Sequence, residues 1–190
     1  TKLYGRACKI CDKYLVFVWR FGGSLIMGIL AFSALRSRRR IAKFYYYGVE
    51  YVSWVPGYRY DRGYPESVIC SKESTYLRLY ASYYGTEAAF VTDELIDFTR
   101  IDFLELEAEN VGVDSPYNHS YLILSVNKMG DHDIYDYRWL VFQGIASKQI
   151  KVYDTRNITG SYYIRLHAYV DTKGAHSSDF RIYAVLESKG

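Results

Sequence analysis

Proline is scarce, three residues in 190, and no internal repeat of fixed period occurs. Disordered and collagen-like chains are rich in proline and poor in large apolar side chains, so both classes are excluded. Cysteine is equally scarce and odd in number: Cys8, Cys11 and Cys70. Three cysteines do not make a secreted disulfide framework. Cys8-Lys9-Ile10-Cys11 has zinc-knuckle spacing, but a structural zinc takes four ligands and no other Cys or His lies near in the sequence. Ordinary thiols are expected, with no metal and no cofactor.

Long uncharged runs are missing too. Residues 14–35 are mostly apolar, but Arg20 interrupts them, and the longest uncharged run, Phe21 to Leu35, has 15 residues. A membrane-spanning helix needs about 20. Val16, Phe17 and Val18 are strand-formers and Gly22-Gly23 breaks a helix, so the expectation is two buried strands around a Gly-Gly turn. The basic flank Arg36-Ser37-Arg38-Arg39-Arg40 keeps a membrane segment as the alternative. The run does not sit as an ordinary signal peptide would, and with Thr as the first residue an upstream start stays open.

Signatures of catalysis are absent. There is no Gly-x-Ser-x-Gly nucleophile turn, and Gly22-Gly23 is not followed by the Gly-Lys-Ser/Thr of a phosphate loop. Glu105, Glu107 and Glu109 share one strand face, but nothing marks two of them as an acid and nucleophile pair for glycoside hydrolysis. Asp131-His132-Asp133 with Asp136 lacks the twelve-residue calcium-loop pattern and reads as a solvated acidic turn. A non-enzyme with no catalytic residues is expected, with a polysaccharide-active enzyme as the weakest alternative. Asn118-His119-Ser120 and Asn157-Ile158-Thr159 match the glycosylation sequon, which matters only in a eukaryotic secretory setting.

What the chain has in excess is tyrosine. There are 22 Tyr, with 9 Phe and 3 Trp, so 18% of the residues are aromatic. The second half alternates with period two. Strands are expected at 76–84, 88–92, 101–109, 121–127, 137–143, 150–152, 162–170 and 180–186. On 101–109, Leu104, Leu106 and Ala108 face inward and the three glutamates outward. On 162–170, Tyr162, Ile164, Leu166, Ala168 and Val170 share the inner face, and Tyr163, Arg165, His167 and Tyr169 the outer one. On 180–186, Arg181 and Tyr183 point outward. Residues 171–178 read as a hairpin loop between the last two strands. Thr92 to Phe98 carries an N-cap-like start and allows a short helical turn.

In the first half, Tyr45-Tyr46-Tyr47 and Val49 to Val55 read as strands, and Pro56 to Pro65 as a long aromatic loop. One wet face per antiparallel sheet gives this pattern. The fold class is therefore all-β, an antiparallel β-sandwich or jelly roll. Residues 76–190 are assigned to the sandwich. Residues 1–75 form a basic, aromatic-rich segment, either a separate element or a completion of the same sandwich.

The near-neutral net charge of +3 hides an asymmetry. Residues 1–60 carry 11 Lys/Arg against 2 Asp/Glu, and residues 61–190 carry 13 against 19. Opposite signs on two parts suggest internal neutralisation or contacts between copies. The basic patch Arg36, Arg38, Arg39, Arg40 and Lys43, followed by Phe44-Tyr45-Tyr46-Tyr47, has the composition of a single-stranded nucleic-acid surface. Docking on the Glu105–Glu109 face, in the same or a neighbouring copy, fits the asymmetry better, so nucleic acid and membrane are not expected partners.

The phrases Ala89-Phe90-Val91-Thr92, Ile96-Asp97-Phe98-Thr99, Leu104-Glu105-Leu106-Glu107 and Ile158-Thr159-Gly160-Ser161-Tyr162-Tyr163-Ile164-Arg165-Leu166 carry a resemblance. The stretch from Ala88 to Ser188 resembles jelly-roll domains of structural proteins in tailed phages and prophages of Gram-positive bacteria, and sandwiches of the carbohydrate-binding-module type. The resemblance covers about half the chain and rests on turn-plus-strand phrases. It implies a virion or tail component on a virion or extracellular surface, oligomeric or bound to neighbouring virion proteins. It also implies contact with surface or cell-wall glycans. The main expectation is a structural protein that meets its neighbours through tyrosine-rich faces. The alternative is a glycan-binding module, since aromatic faces stack on sugar rings and Tyr adds a hydroxyl. For that alternative the candidate ligand residues are Trp54, Tyr58 and Tyr60, in a loop shared with Tyr64, and Tyr163, Tyr169 and Tyr183 on neighbouring strand faces, with His167 beside them.

Overall fold

The computed structural model describes residues 6–11, 14–21, 24–31, 42–60, 67–82, 85–112, 119–129, 136–171 and 177–188. The chain divides into two units, residues 1–40 and 41–190.

In the first unit, β1 (Arg6–Cys11), β2 (Tyr14–Phe21) and β3 (Ser24–Ala31) form an antiparallel sheet in the order β1-β2-β3. The runs Val16-Phe17-Val18-Trp19 and Leu25-Ile26 explain the strands: branched and aromatic side chains suit the pleated backbone. Phe21 pairs with Ser24, so β2 and β3 are the two strands expected there. Gly22 and Gly23 lie outside the described residues. No described helix is long and apolar enough to cross a membrane.

The second unit is an antiparallel β-sandwich. Its first sheet has the order β13-β12-β15-β9-β6: β13 (Tyr137–Gln143), β12 (Ser120–Asn127), β15 (Ser161–Val170), β9 (Glu87–Thr92) and β6 (Trp54–Tyr60). The two-residue β10 (Ile96–Asp97) also pairs with β15. The second sheet has the order β14-β11-β16-β4-β5: β14 (Ala146–Asp154), β11 (Phe103–Asn110), β16 (Ser178–Ser188), β4 (Lys43–Tyr46) and β5 (Val49–Glu50). The eleven-residue β16 spans two neighbours on one edge. Its first half pairs with β8 (Leu77–Ala81), which carries β7 (Val68–Lys72), and its second half with β4.

The alternation decides the core. Leu104, Leu106, Phe180, Ile182, Leu77 and Leu79 from one sheet meet Leu122, Leu124, Ile164, Leu166 and Phe90 from the other, all buried. Each such side chain contributes about 1.5–3 kcal/mol by leaving water. Phe142 and Phe180 stack across the two layers at 6.3 Å. One buried amide ties the sheets. Asn110 of β11 donates through Nδ2 to Ser120 Oγ (3.0 Å) and to the Gly144 carbonyl (2.8 Å), while its Oδ1 accepts from the Gly112 and Asp179 amides.

Several expectations are corrected. β15 and β16 belong to different sheets, so they are not the two arms of a hairpin as expected; residues 172–176 between them lie outside the described residues. Residues 56–60, expected as the start of a loop, belong to the edge strand β6. Pro56 is tolerated because an edge strand has no outer ladder partner to lose, and the register shifts between Pro56 and Tyr58. The strand expected over Val49 to Val55 is split: Val49–Glu50 is β5, residues 51–53 are not strand, and Trp54 and Val55 begin β6 in the other sheet. The helical turn near Thr92–Phe98 is displaced to a 3-10 turn, Phe98–Arg100, whose cap is Asp97 accepting from the Thr99 amide. Val68–Lys72 is a strand that alternation did not reveal, because Cys70 and Ser71 blur the period.

Candidate functional site: a tyrosine platform on the second sheet

Strand alternation brings one polar-aromatic surface together on the outer face of the second sheet. β11 turns Glu105, Glu107 and Glu109 outward, β16 turns Arg181 and Tyr183, β8 turns Arg78 and Tyr80, and β14 turns Lys148, Ile150 and Val152. At the bulge between Glu107 and Ala108, Tyr183 is the extra residue of β16.

The hairpin between β4 and β5 adds the central ring. Tyr46 pairs with Val49, leaving Tyr47-Gly48 as a two-residue turn with φ of +45° and +86°. Positive φ at both central residues is the type I′ pattern, whose twist matches that of the strands. Gly48 is required: a Cβ there would stand 2.0 Å from the Ser74 carbonyl oxygen. Tyr47 is costlier, since a left-handed backbone costs a non-glycine residue about 1 kcal/mol. Two contacts hold the tip. The Tyr47 amide donates to the Tyr183 carbonyl at 2.7 Å, and the Gly48 amide to the hydroxyl of buried Tyr45 at 3.1 Å. Burial pushes the Tyr45 phenol up to about 12.

Four rings follow one another across the face. Tyr46 lies 5.0 Å from Tyr47, Tyr47 5.7 Å from Tyr183, and Tyr183 5.6 Å from Tyr76, all between centroids. Cations and carboxylates alternate with them. Lys43 sits 4.3 Å above the Tyr46 ring and 5.7 Å from Tyr51. Lys148 sits 4.0 Å above Tyr183 and 5.0 Å above Tyr47, donates to the Tyr47 hydroxyl at 3.0 Å, and lies 3.4 Å from Glu107. The Tyr47 hydroxyl donates in turn to Glu107 at 2.8 Å. Tyr183 donates to Glu109 at 2.6 Å, and Arg181 pairs with Glu109 at 3.5 Å while its guanidinium lies over the Tyr76 ring, 5.3 Å from the centroid. The hydrogen bond to Tyr47, then Glu107, raises the Lys148 ammonium above its ordinary value. Partial burial, then the Glu109 hydrogen bond, raises the Tyr183 phenol. Arg78 and Asp179 close the upper edge with a two-pronged pair at 2.9 and 2.8 Å.

The structure divides the residues singled out from the sequence. Of the candidate glycan ligands with described side chains, Tyr183 lies on this platform. Trp54 is not on the surface: it is fully buried, and its indole N–H donates to the Phe44 carbonyl at 3.2 Å. Tyr163 and Tyr169 are on β15 of the other sheet, so Tyr183 is not on a neighbouring strand. They are six residues apart, about 20 Å along a strand, and do not form one site. Tyr169 is stacked on Tyr121 at 4.8 Å. His167 is buried and lies 3.2 Å from Glu87. Tyr58 and Tyr60 belong to β6, but their side chains, like Tyr64, lie outside the described residues. So do Arg36, Arg38, Arg39 and Arg40 of the basic patch, whereas Lys43 is the cation over Tyr46. Asp131 to Asp133 and Asn118 are also outside them. Asp136 accepts from the Lys128 amide, and no metal-binding cluster occurs among the described residues. Glu107 and Glu109 are not simply solvated; Lys148 and Arg181 pair with them.

Sequence reasoning missed Tyr46, Tyr47, Tyr76 and Lys148. One signal was present: Tyr47-Gly48 between two aromatic or branched pairs is a hairpin turn, which would have brought Tyr47 over the adjacent strand.

No protein-family model and no curated protein matches the chain. Among solved structures, similarity is found to the xylan-binding module CBM86 from Roseburia intestinalis, at 8% identity over 72% of this chain and 93% of that one, TM-score 0.44. It is also found to xylanase 10C from Cellvibrio japonicus in complex with xylopentaose, at 12% identity over 75% of this chain and 28% of that one, TM-score 0.42. A third is the M60 catalytic domain with two CBM51 domains from Clostridium perfringens ZmpB, at 13% identity over 100% of this chain and 20% of that one, TM-score 0.35. Likeness this distant assigns neither ligand nor activity to the present chain.

Proposed function

We propose that this chain is a non-catalytic glycan-binding module acting at an extracellular surface, with the outer face of the second sheet as its site. The observation that carries this reading is the row Tyr46, Tyr47, Tyr183 and Tyr76, with a carboxylate or a cation beside each inner ring. Tyrosine faces offer apolar area to the C–H surface of a sugar, and the interleaved Glu, Lys and Arg supply donors and acceptors for its hydroxyls. The left-handed backbone of Tyr47 adds support, because strain held by surrounding contacts is concentrated at binding sites. A glycan array followed by titration tests it. Tyr183→Ala and Tyr47→Ala should each weaken binding at least about tenfold, the loss of one to two kcal/mol of stacking, while Tyr121→Ala on the other sheet leaves it unchanged. Binding by none of the arrayed glycans, or equal loss with Tyr121→Ala, would sink the proposal.

A second reading, contact with neighbouring subunits as in a virion, is favoured by the free edge of the same sheet. Ile145, Ile150 and Val152 are exposed on or beside β14, which pairs only with β11 among the described strands. Exposed apolar edges are places where chains associate. Light scattering of the wild type and Ile150→Lys checks it: a concentration-dependent rise in mass that the variant removes supports this reading, and a constant monomer mass rejects it.

A further inference from the structure

We infer that the corner formed by Tyr47, Tyr183 and Glu107 is a recognition site for a protonated amine, that Lys148 is its built-in occupant, and that the glycan taken by the platform carries free amino groups. This rests on the glycan-binding reading and specifies its ligand class.

The Lys148 ammonium already shows what the corner holds. It has one ring face at 4.0 Å, a second at 5.0 Å, a phenol oxygen at 3.0 Å and a carboxylate oxygen at 3.4 Å. Two aromatic faces and an anion are the set that stabilises an ammonium: the rings attract it through their quadrupoles and the carboxylate through charge. The hydroxyl works in series, because Tyr47 accepts from Lys148 while it donates to Glu107.

The occupant is built to leave. The Lys148 side chain is 41% exposed, whereas that of Glu107 is 15% exposed. Its flexible stem regains rotamer freedom and its head regains water when displaced. A ligand ammonium arriving in the same place keeps Glu107 paired. A neutral sugar stacking on Tyr183 would evict the lysine and leave a largely buried carboxylate without its cation, which is a penalty against neutral ligands. Along β11 the next outward carboxylate, Glu105, is one two-residue step away, about 7 Å. Glu105 has no ion-pair partner among the described residues, so a second amine of a polymer meets a second anion. The net charge of the chain is +3, so general attraction for a polycation does not mimic this effect.

The test compares a glucosamine hexamer with free amines and an N-acetylglucosamine hexamer, at one ionic strength, by calorimetric titration. The proteins are wild type, K148A, K148R and E107Q. The free-amine hexamer should bind K148A about tenfold tighter than wild type, the cost of displacing one cation from two rings. K148R should restore the wild-type affinity, and E107Q should abolish the preference for the free-amine sugar. Equal binding of both hexamers to K148A, or a preference that survives E107Q, overturns the inference. Binding of neutral glycans that depends on Tyr183 without amine preference overturns it too, but leaves the glycan reading standing. If no glycan binds yet ethylammonium shifts the Tyr183 ring resonances in K148A and not in wild type, the amine site is supported and the glycan reading fails. Lys148 is on an edge strand and exposed, so a thermal melt suffices to show that K148A is folded.

Discussion

The two sheets of the sandwich have outer faces of similar polarity in sequence and opposite fates in space. On the second sheet, Glu105, Glu107, Glu109, Arg181 and Tyr183 are half-buried and form the platform. On the first sheet, the central residues pointing away from the core are buried, while Tyr121, Tyr163 and Tyr169 around them are half-buried. Arg165 is 1% exposed, His167 5% and Ile123 1%, and Ser125, Ala89 and Val91 are buried beside them. Alternation therefore tells which residues leave the core, and not whether they arrive in water. A charged residue in such a place is held by partners, because an unpaired buried charge costs several kcal/mol.

One pair of substitutions separates the two faces. Ile123 and Ile150 both point outward from their sheets. Ile123→Ala should cost about 2–5 kcal/mol, as a buried aliphatic truncation does, and Ile150→Ala should stay within about 0.5 kcal/mol. Chemical denaturation of both variants measures it. Equal costs would mean that the two faces do not differ as described.

A smaller effect sharpens the same contrast. Burial lowers the His167 pKa, opposed by its hydrogen bond to Glu87 and reinforced by Arg165 and Arg138. The unfolded chain then binds a proton more readily than the fold, so stability rises with pH through this group. The contribution is full above the unfolded value of about 6.5 and is lost as pH falls toward the lower folded value. Denaturation midpoints taken at pH 7.5 and pH 5 should fall in the wild type, and His167→Gln should flatten the part of the slope due to this residue. A slope unchanged in the variant would mean that His167 is not held neutral.

The smallest effect concerns Tyr47. Asn adopts a left-handed backbone more readily than Tyr, so Tyr47→Asn should change stability by no more than about 1 kcal/mol while glycan binding is lost. A melt beside a binding titration separates the two. Retained affinity would place the site elsewhere, and a large stability loss would make Tyr47 a structural residue.

Much of this architecture was legible beforehand. The inward residues of β11 and β15 were readable one by one, because a half-buried strand must alternate. So were the bounds of β13, Tyr137–Gln143. On β16 the same alternation places Phe180, Ile182, Ala184 and Leu186 inward, but the bulge at Tyr183 reverses the phase, so Val185 enters the core and Leu186 pairs with outward Glu105. The site was far less legible. Trp54 looked like a surface anchor because its neighbours Pro56 and Gly57 resemble loop residues, yet it fills the core. Tyr163 and Tyr183 looked like neighbours because their strands are consecutive, yet they occupy different sheets. Tyr46 with Tyr47, Tyr76 and Lys148 come from three separate parts of the chain.

Sequence alone thus determined the class of fold, most strands of the second half and, on β11 and β15, which side chains turn away from the core. These are local properties, set by a backbone period of two and by the apolar content of each short segment. Strand order, the assignment of β15 and β16 to different layers, the burial of one outer face and the meeting of four tyrosines with Lys148 were decided only by tertiary structure. Those depend on pairings between distant residues, such as Lys148 with Tyr47, 101 positions apart, and Ala42 with Glu187, 145 apart, and no local pattern records which distant strands will share a ladder.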